Sequence, residues 1–231
     1  MKNSTTIILV HGAWGDGSHW RHVIPELHKK GYKVRAVQNP LTSLADDIEQ
    51  TRKLIEAQEG QVLLVGHSYG GAVITGAGNN PKVAGLVYIA AFAPDKGESL
   101  GGIFAKREAP SGAAHLVPDQ YGVLWVKYDK FHESFCADLS EDEANVMSLS
   151  QKAISGKCFG DESGAPAWKE KPSWYQISEK DHMIPPVTQK EMAERMNPKK
   201  IISLDSSHAS MASHPKEIIN LIVEAAEAVS K

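Results

Sequence analysis

The chemistry in this chain starts from one serine. Ser68 lies in Gly66-His67-Ser68-Tyr69-Gly70, directly after the apolar run Gln61 to Val65 and directly before Tyr69-Gly-Gly-Ala-Val-Ile-Thr75, a helix-forming stretch. A chain that leaves a strand and enters a helix within about two residues must reverse sharply at the serine, and side chains two positions away on either side would collide. Gly66 and Gly70 remove them. The hydroxyl is then presented over a helix start, where amide groups and the dipole favour negative charge.

A serine hydroxyl is a weak nucleophile at neutral pH and needs a base within hydrogen-bond reach, itself oriented by a carboxylate. In a strand–turn–helix setting of this kind the acid and then the histidine follow at the ends of later strands. Ile201-Ile-Ser-Leu204 runs into Asp205-Ser-Ser-His208, and Trp174 to Ser178 runs into Glu179-Lys-Asp181-His182. Ser68 as nucleophile, His208 as general base and Asp181 as orienting acid is the expectation. With 10 histidines in the chain, competitors have to be weighed. His67 adjoins the nucleophile but is expected to point away from it; His182 reads as a loop residue, and His214, before Pro215, as the entry to the last helix. For the acid, Asp95 after the fourth strand is the chief rival and Asp205 a weaker one. Attack on a carbonyl also needs two donors for the oxyanion. They are assigned to the amides of Tyr69, after the nucleophile, and Ala13, in the loop Val10-His11-Gly12-Ala13-Trp14 after the first strand; the plainer reading of His11-Gly12 is a simple strand exit.

Positioning these groups requires a particular frame. Short β-branched runs (6–10, 32–37, 61–65, 83–90, 173–177 and 200–204) alternate with helical patterns. Between 43 and 59, Leu44, Ile48, Thr51 and Ile55 recur at helical spacing behind Ser43, placed with Asp46 as a capping box. Strands apolar on both faces, separated by helices, make a doubly wound parallel sheet, and hence an α/β fold. The alternation breaks between Pro94 and Pro172, where aromatics concentrate. A hairpin is expected from His115-Leu-Val and Val123-Leu-Trp-Val126 around a turn at 118–122, and a helix from Ser140 to Gln151. The expected organisation is a core of 1–94 and 172–231 with a cap of 95–171 lying over the carboxyl edge of the sheet, where open α/β sheets bind ligands.

Composition bounds the rest. A chain of 231 residues suits one domain, and 25 Lys+Arg against 28 Asp+Glu offers no basic surface for nucleic acid or membrane. No stretch reaches the roughly 18 apolar residues of a spanning helix, and MKNSTT enters a strand without a signal-peptide pattern. Cys136 and Cys158 form neither a CxxC pair nor part of a metal-binding cluster. These features predict a soluble cytoplasmic protein with two reduced thiols, no metal and no organic cofactor, acting on a small molecule. Exposed cap aromatics leave a homodimer open. Trp14, Trp20 and Tyr69, with Trp125 and Phe131 from the cap, are expected to line an apolar substrate pocket, against the plainer reading of each as core.

The segments "ILVHGAWGDGSHW" (8–20), "VGHSYGG" (65–71), "VYIAAFAPDKGES" (87–99), "DHMIPP" (181–186) and "DSSHASMASHP" (205–215) resemble the α/β-hydrolase fold, and within it the small group of plant methylesterases, hydroxynitrile lyases and related bacterial esterases. The resemblance implies six parallel strands in the order 2-1-3-4-5-6 with a cap inserted after the fourth. It carries the nucleophile onto Ser68, the acid onto Asp181, the base onto His208 and the oxyanion amides onto Ala13 and Tyr69. The lyase branch has a threonine where this chain has Gly12 and a lysine where it has Ala209, so the resemblance favours ester hydrolysis over cyanohydrin cleavage. Lactone, thioester or amide cleavage, and binding without turnover, remain as other readings of the same fold. The cap matches the plant enzymes poorly.

Overall fold

A run of five buried residues at Thr6–Val10 (β1) and six at Val62–His67 (β3) marks strands with helices on both faces. The computed structural model describes residues 5–230. With Lys33–Ala36 (β2), Val83–Ile89 (β4), Ser173–Ser178 (β8) and Lys200–Leu204 (β9), these strands form one parallel sheet in the order β2-β1-β3-β4-β8-β9. This is the order expected of the α/β-hydrolase fold once the three short strands between β4 and β8 are set aside. The two outermost strands, β2 and β9, carry exposed residues, as edges must.

Those three strands, Leu116–Pro118 (β5), Val123–Val126 (β6) and Ile154–Ser155 (β7), form a separate antiparallel sheet. The expected hairpin is therefore β5–β6, closed by the Asp119 side chain, which accepts from the amides of Tyr121 and Val123. Helix Glu141–Leu149 begins where Ser140 accepts from the Glu143 amide, and helix Leu44–Glu56 begins where Ser43 accepts from the Asp46 amide. Both Cys136 and Cys158 are buried free thiols. Among the described residues no helix is long and apolar enough to cross a membrane; Met1 to Ser4, part of the expectation about the N-terminus, lie outside those residues.

Strand β3 runs two residues further than its apolar pattern suggested, so the reversal falls on Ser68 alone. Its backbone (φ 55°, ψ −125°) lies in a region that non-glycine residues avoid. Strain of this kind costs about 1–3 kcal/mol and persists only where surroundings over-determine it. Here the Ser68 amide donates to the Ile89 carbonyl, while its own carbonyl accepts from Gly71 and Phe92. The two glycines around it are close backbone approaches: a Cβ on Gly66 would sit 2.6 Å from the Gly70 carbonyl oxygen, and one on Gly70 would sit 2.5 Å from that of Val10.

Because the obstruction at Gly70 is backbone, Gly70→Ala should lower stability by about 2 kcal/mol or more or prevent soluble expression. Gly160→Ala, where nothing lies within 4 Å of the added carbon, should leave the urea midpoint within experimental scatter. Equal midpoints for the two variants would refute this account of the turn.

Candidate active site

Three strand ends deliver the expected side chains. Ser68 follows β3, Asp181 lies after β8 and His208 after β9. All three are buried, with Ser68 and Asp181 each 4% exposed and His208 fully enclosed. The His208 Nδ1 atom lies 2.6 Å from Asp181 Oδ2. The Asp181 carboxylate is held at every position: Oδ1 accepts from the amides of Met183 (2.7 Å) and Ile184 (2.8 Å), and Oδ2 accepts also from Gln189 Nε2 (2.7 Å). Gln189 is in turn fixed by Ser178 and Ile184. A carboxylate already receiving three donors is an acceptor toward His208, so Nδ1 carries the proton and Nε2 presents its lone pair. His208 Nε2 is buried and makes no hydrogen bond among the described residues. The serine–imidazole bond is thus unformed, the looser arrangement common in unliganded hydrolases.

The amides of Ala13 and Tyr69 make no internal hydrogen bond among the described residues, and both residues border the same cavity as Ser68. Tyr69 opens the helix Tyr69–Ala77, so its N–H has no intrahelical partner. Its phenol donates to Asp47 Oδ2 (2.5 Å), whose other oxygen accepts from the Leu41 amide. Burial pushes the Asp47 carboxyl up, against the pull of the Tyr69 hydroxyl.

The cavity has a volume of about 190 Å³ and an almost wholly apolar wall. From the core come Ala13, Trp14, Ser68, Tyr69 and Phe92; from the segment between β4 and β8 come Phe104, Leu116, Leu124 and Phe159; Met183 and Ile184 come from the loop that wraps Asp181. Trp14 is where expected, its Nε1 donating to the Leu124 carbonyl across the two parts.

Three expected pocket residues lie elsewhere. Trp125 follows Leu124 on β6, and since alternate strand residues face opposite sides, Leu124 reaches the cavity while Trp125 turns to Asp119. Phe131 stacks on Phe135 one helical turn on, ring centroids 4.9 Å apart, and is fully buried. Trp20 is enclosed in the core with its ring set edge-on to His67. The aromatics therefore surround the histidine as much as the cavity: Phe135 packs edge-on to His208 at 4.8 Å. The competing polar residues are also accounted for. Asp95 pairs with Lys169, Asp205 with Lys180, His182 lies against the Glu133 carbonyl and His214 against Ser213. His67, expected to point away from the nucleophile, packs beside the His208 ring.

Sequence reasoning missed Asp47, Gln189 and Asp138. Asp138, from the segment between β4 and β8, accepts from the Ser207 amide (2.9 Å) and from the Ser207 hydroxyl, clamping the residue before His208. None of the three sits in a motif, and only the fold brings them to the site.

The chain belongs to the alpha/beta hydrolase family, whose model matches residues 7–221. A carbendazim hydrolyzing esterase of Nocardioides sp. (strain SG-4G) is 38% identical over 165 residues, 65% of this chain and 66% of that protein, so the match spans about two thirds of each. Methylesterase 18 of Arabidopsis thaliana is 25% identical over 96% of this chain and 97% of its own length. The crystal structure of a pyrethroid hydrolase from Sphingobium faniae JZ-2 superposes with a TM-score of 0.85 at 25% identity, covering 97% of this chain and 98% of that one. The chain thus groups with ester-hydrolysing members of its family.

Burial keeps three imidazoles near the site neutral: it lowers His11 to about 4, His19 to about 3, and His67 well below its ordinary value, the last with a further push from His208. In the unfolded chain each would take a proton near pH 6.5. Between that value and the folded ones the unfolded state binds more protons, so folding stability falls as pH falls from 6.5 toward 4. The urea midpoint should decline steadily from pH 7 to pH 5, and His19→Gln should flatten the decline. A midpoint constant over that range would contradict the assignment of neutral buried rings.

Proposed function

We propose that this protein is a serine esterase that hydrolyses small hydrophobic carboxylic esters through an acyl-enzyme on Ser68. The observation that carries the reading is a juxtaposition: the strained Ser68 and two unengaged amides border one apolar cavity, Met183 and Ile184 of the same wall donate to the Asp181 carboxylate, and that carboxylate holds Nδ1 of His208.

In this reading Ser68 Oγ attacks the ester carbon as its proton passes to His208 Nε2. The amides of Ala13 and Tyr69 receive the oxyanion. Collapse of the tetrahedral intermediate breaks the bond to the alcohol oxygen, which takes the proton from His208. Water, deprotonated by His208, then attacks the acyl carbon, and the carboxylic acid leaves with Ser68 restored. Asp181 stays ionised, orienting the ring and offsetting its transient charge. The chemistry calls for no cofactor.

Among the described residues no charged side chain lines the cavity, which supports an uncharged, hydrophobic acyl or alcohol part. So do the names of relatives, which refer to hydrolysis of carbendazim and pyrethroids. A lyase reading lacks the groups it would need: at Gly12 a side chain would begin 2.7 Å from the Ser68 Cβ, and the residue after His208 is the buried Ala209. We infer a cytoplasmic location from the sequence pattern alone.

Against a graded series of p-nitrophenyl esters, kcat/KM should rise with acyl length until the cavity is filled. An ester of equal length ending in a carboxylate should be slower by about tenfold or more, since the wall offers that charge no partner. Ser68→Ala should lower kcat by about a thousandfold or more with the unfolding midpoint preserved. Near-native turnover by this variant would eliminate the serine mechanism.

A further inference from the structure

His67 stands next to the nucleophile in sequence and next to the base in space. It is the last residue of β3, a strand enclosed between β1 and β4, and is completely buried. Its Nε2 lies 2.8 Å from the backbone carbonyl oxygen of His208, 141 positions away. The two imidazoles are 4.7 Å apart and tilted by 50°, with Trp20 and Phe135 closing the other sides of the His67 ring at 6.4 and 6.1 Å. A carbonyl oxygen can only accept, so Nε2 of His67 is the donor. Its Nδ1 is buried with no hydrogen-bond partner among the described residues, the environment of an unprotonated nitrogen.

We propose that His67 is a positioning residue for catalysis: its Nε2–H bond to the His208 carbonyl ties the loop of the general base to the strand that ends in the nucleophile. The proposal rests on the serine-esterase reading above. The bond joins the residue immediately before Ser68 to the backbone of His208 itself, so one rigid strand end sets the serine and the origin of the imidazole together. The loop 205–209 is also held by Ser206, whose hydroxyl donates to Ser178 and whose carbonyl accepts from the Lys180 amide, and by Ser207 with its clamp from Asp138; the His67 bond reaches the backbone of His208 itself. Displacement of a catalytic group by about 1 Å can cost about a hundredfold in rate. A neutral ring also suits the place, because a second cation beside His208 would oppose the imidazolium that forms during acylation.

A filler of the core would need only shape, whereas a positioning group needs its donor. His67→Phe keeps a ring and removes the donor; His67→Gln replaces the ring but can return an N–H at similar reach. With p-nitrophenyl butyrate, H67F should lose about thirtyfold or more in kcat with KM within about threefold of wild type, and H67Q should recover most of that loss. Both should unfold at similar temperatures, so packing would not separate them. Wild-type-like kcat for H67F, or equal losses in H67F and H67Q, would overturn the role. Should neither variant fold, nitrogen-15 NMR of histidine in the wild-type protein decides: the proposal requires a slowly exchanging proton on His67 Nε2 from pH 6 to 8, and a proton on Nδ1 instead would refute it. Ser68→Ala, measured alongside, separates the two levels. If that variant keeps its turnover the esterase reading fails, and if it is inactive while H67F is fully active only the role of His67 fails.

Discussion

The unfavourable backbone at Ser68 is the constraint around which the rest is arranged. A single residue with φ of 55° has to end a strand, start a helix and lift its hydroxyl off the sheet edge. Nothing local favours this. It is imposed by the amide of Ser68 bonding to β4, by its carbonyl receiving two amides, and by three backbones brought so close at Gly66, Gly70 and Gly71 that no Cβ fits between them. The same conformation leaves the Tyr69 amide at the head of a helix without a hydrogen bond among the described residues, as the proposed oxyanion role would require.

The second layer is electrostatic satisfaction in a dry setting. A buried carboxylate beside a buried imidazole is stable only when its remaining lone pairs are used, and Asp181 meets that condition with two amides and Gln189. Around His208 the chain has placed aromatic edges and a neutral second histidine. In such surroundings hydrogen bonds are strong and unpaired charges expensive. The histidine is held on both flanks, Ser207 before it by Asp138 and its own carbonyl by His67. His208 is thus anchored by elements far apart in sequence.

Much of this was legible in the residues. The sheet could be read because buried parallel strands leave continuous apolar runs, and β1 and β4 fall where those runs do. Ser68, Asp181 and His208 could be read because turn chemistry and strand ends constrain where such groups can stand. The cavity wall could not, for a specific reason. On β6 one position separates Leu124, which faces the cavity, from Trp125, which does not, and the larger residue drew the expectation. Size marks burial, whereas facing depends on the register of a small sheet whose partner β7 is two residues long. Likewise the direction of His67 follows from strand β3 continuing past its apolar run, which composition does not reveal.

In the proposed mechanism a covalent bond forms at one oxygen, Ser68 Oγ. Rapid mixing with p-nitrophenyl butyrate, acid quenching within the first turnover and peptide mass mapping measure that directly. A butyryl adduct is expected on the peptide containing Ser68, rising with the nitrophenolate burst and decaying as butyrate is released. Turnover without an adduct at that residue, or an adduct carried by another side chain, would contradict it.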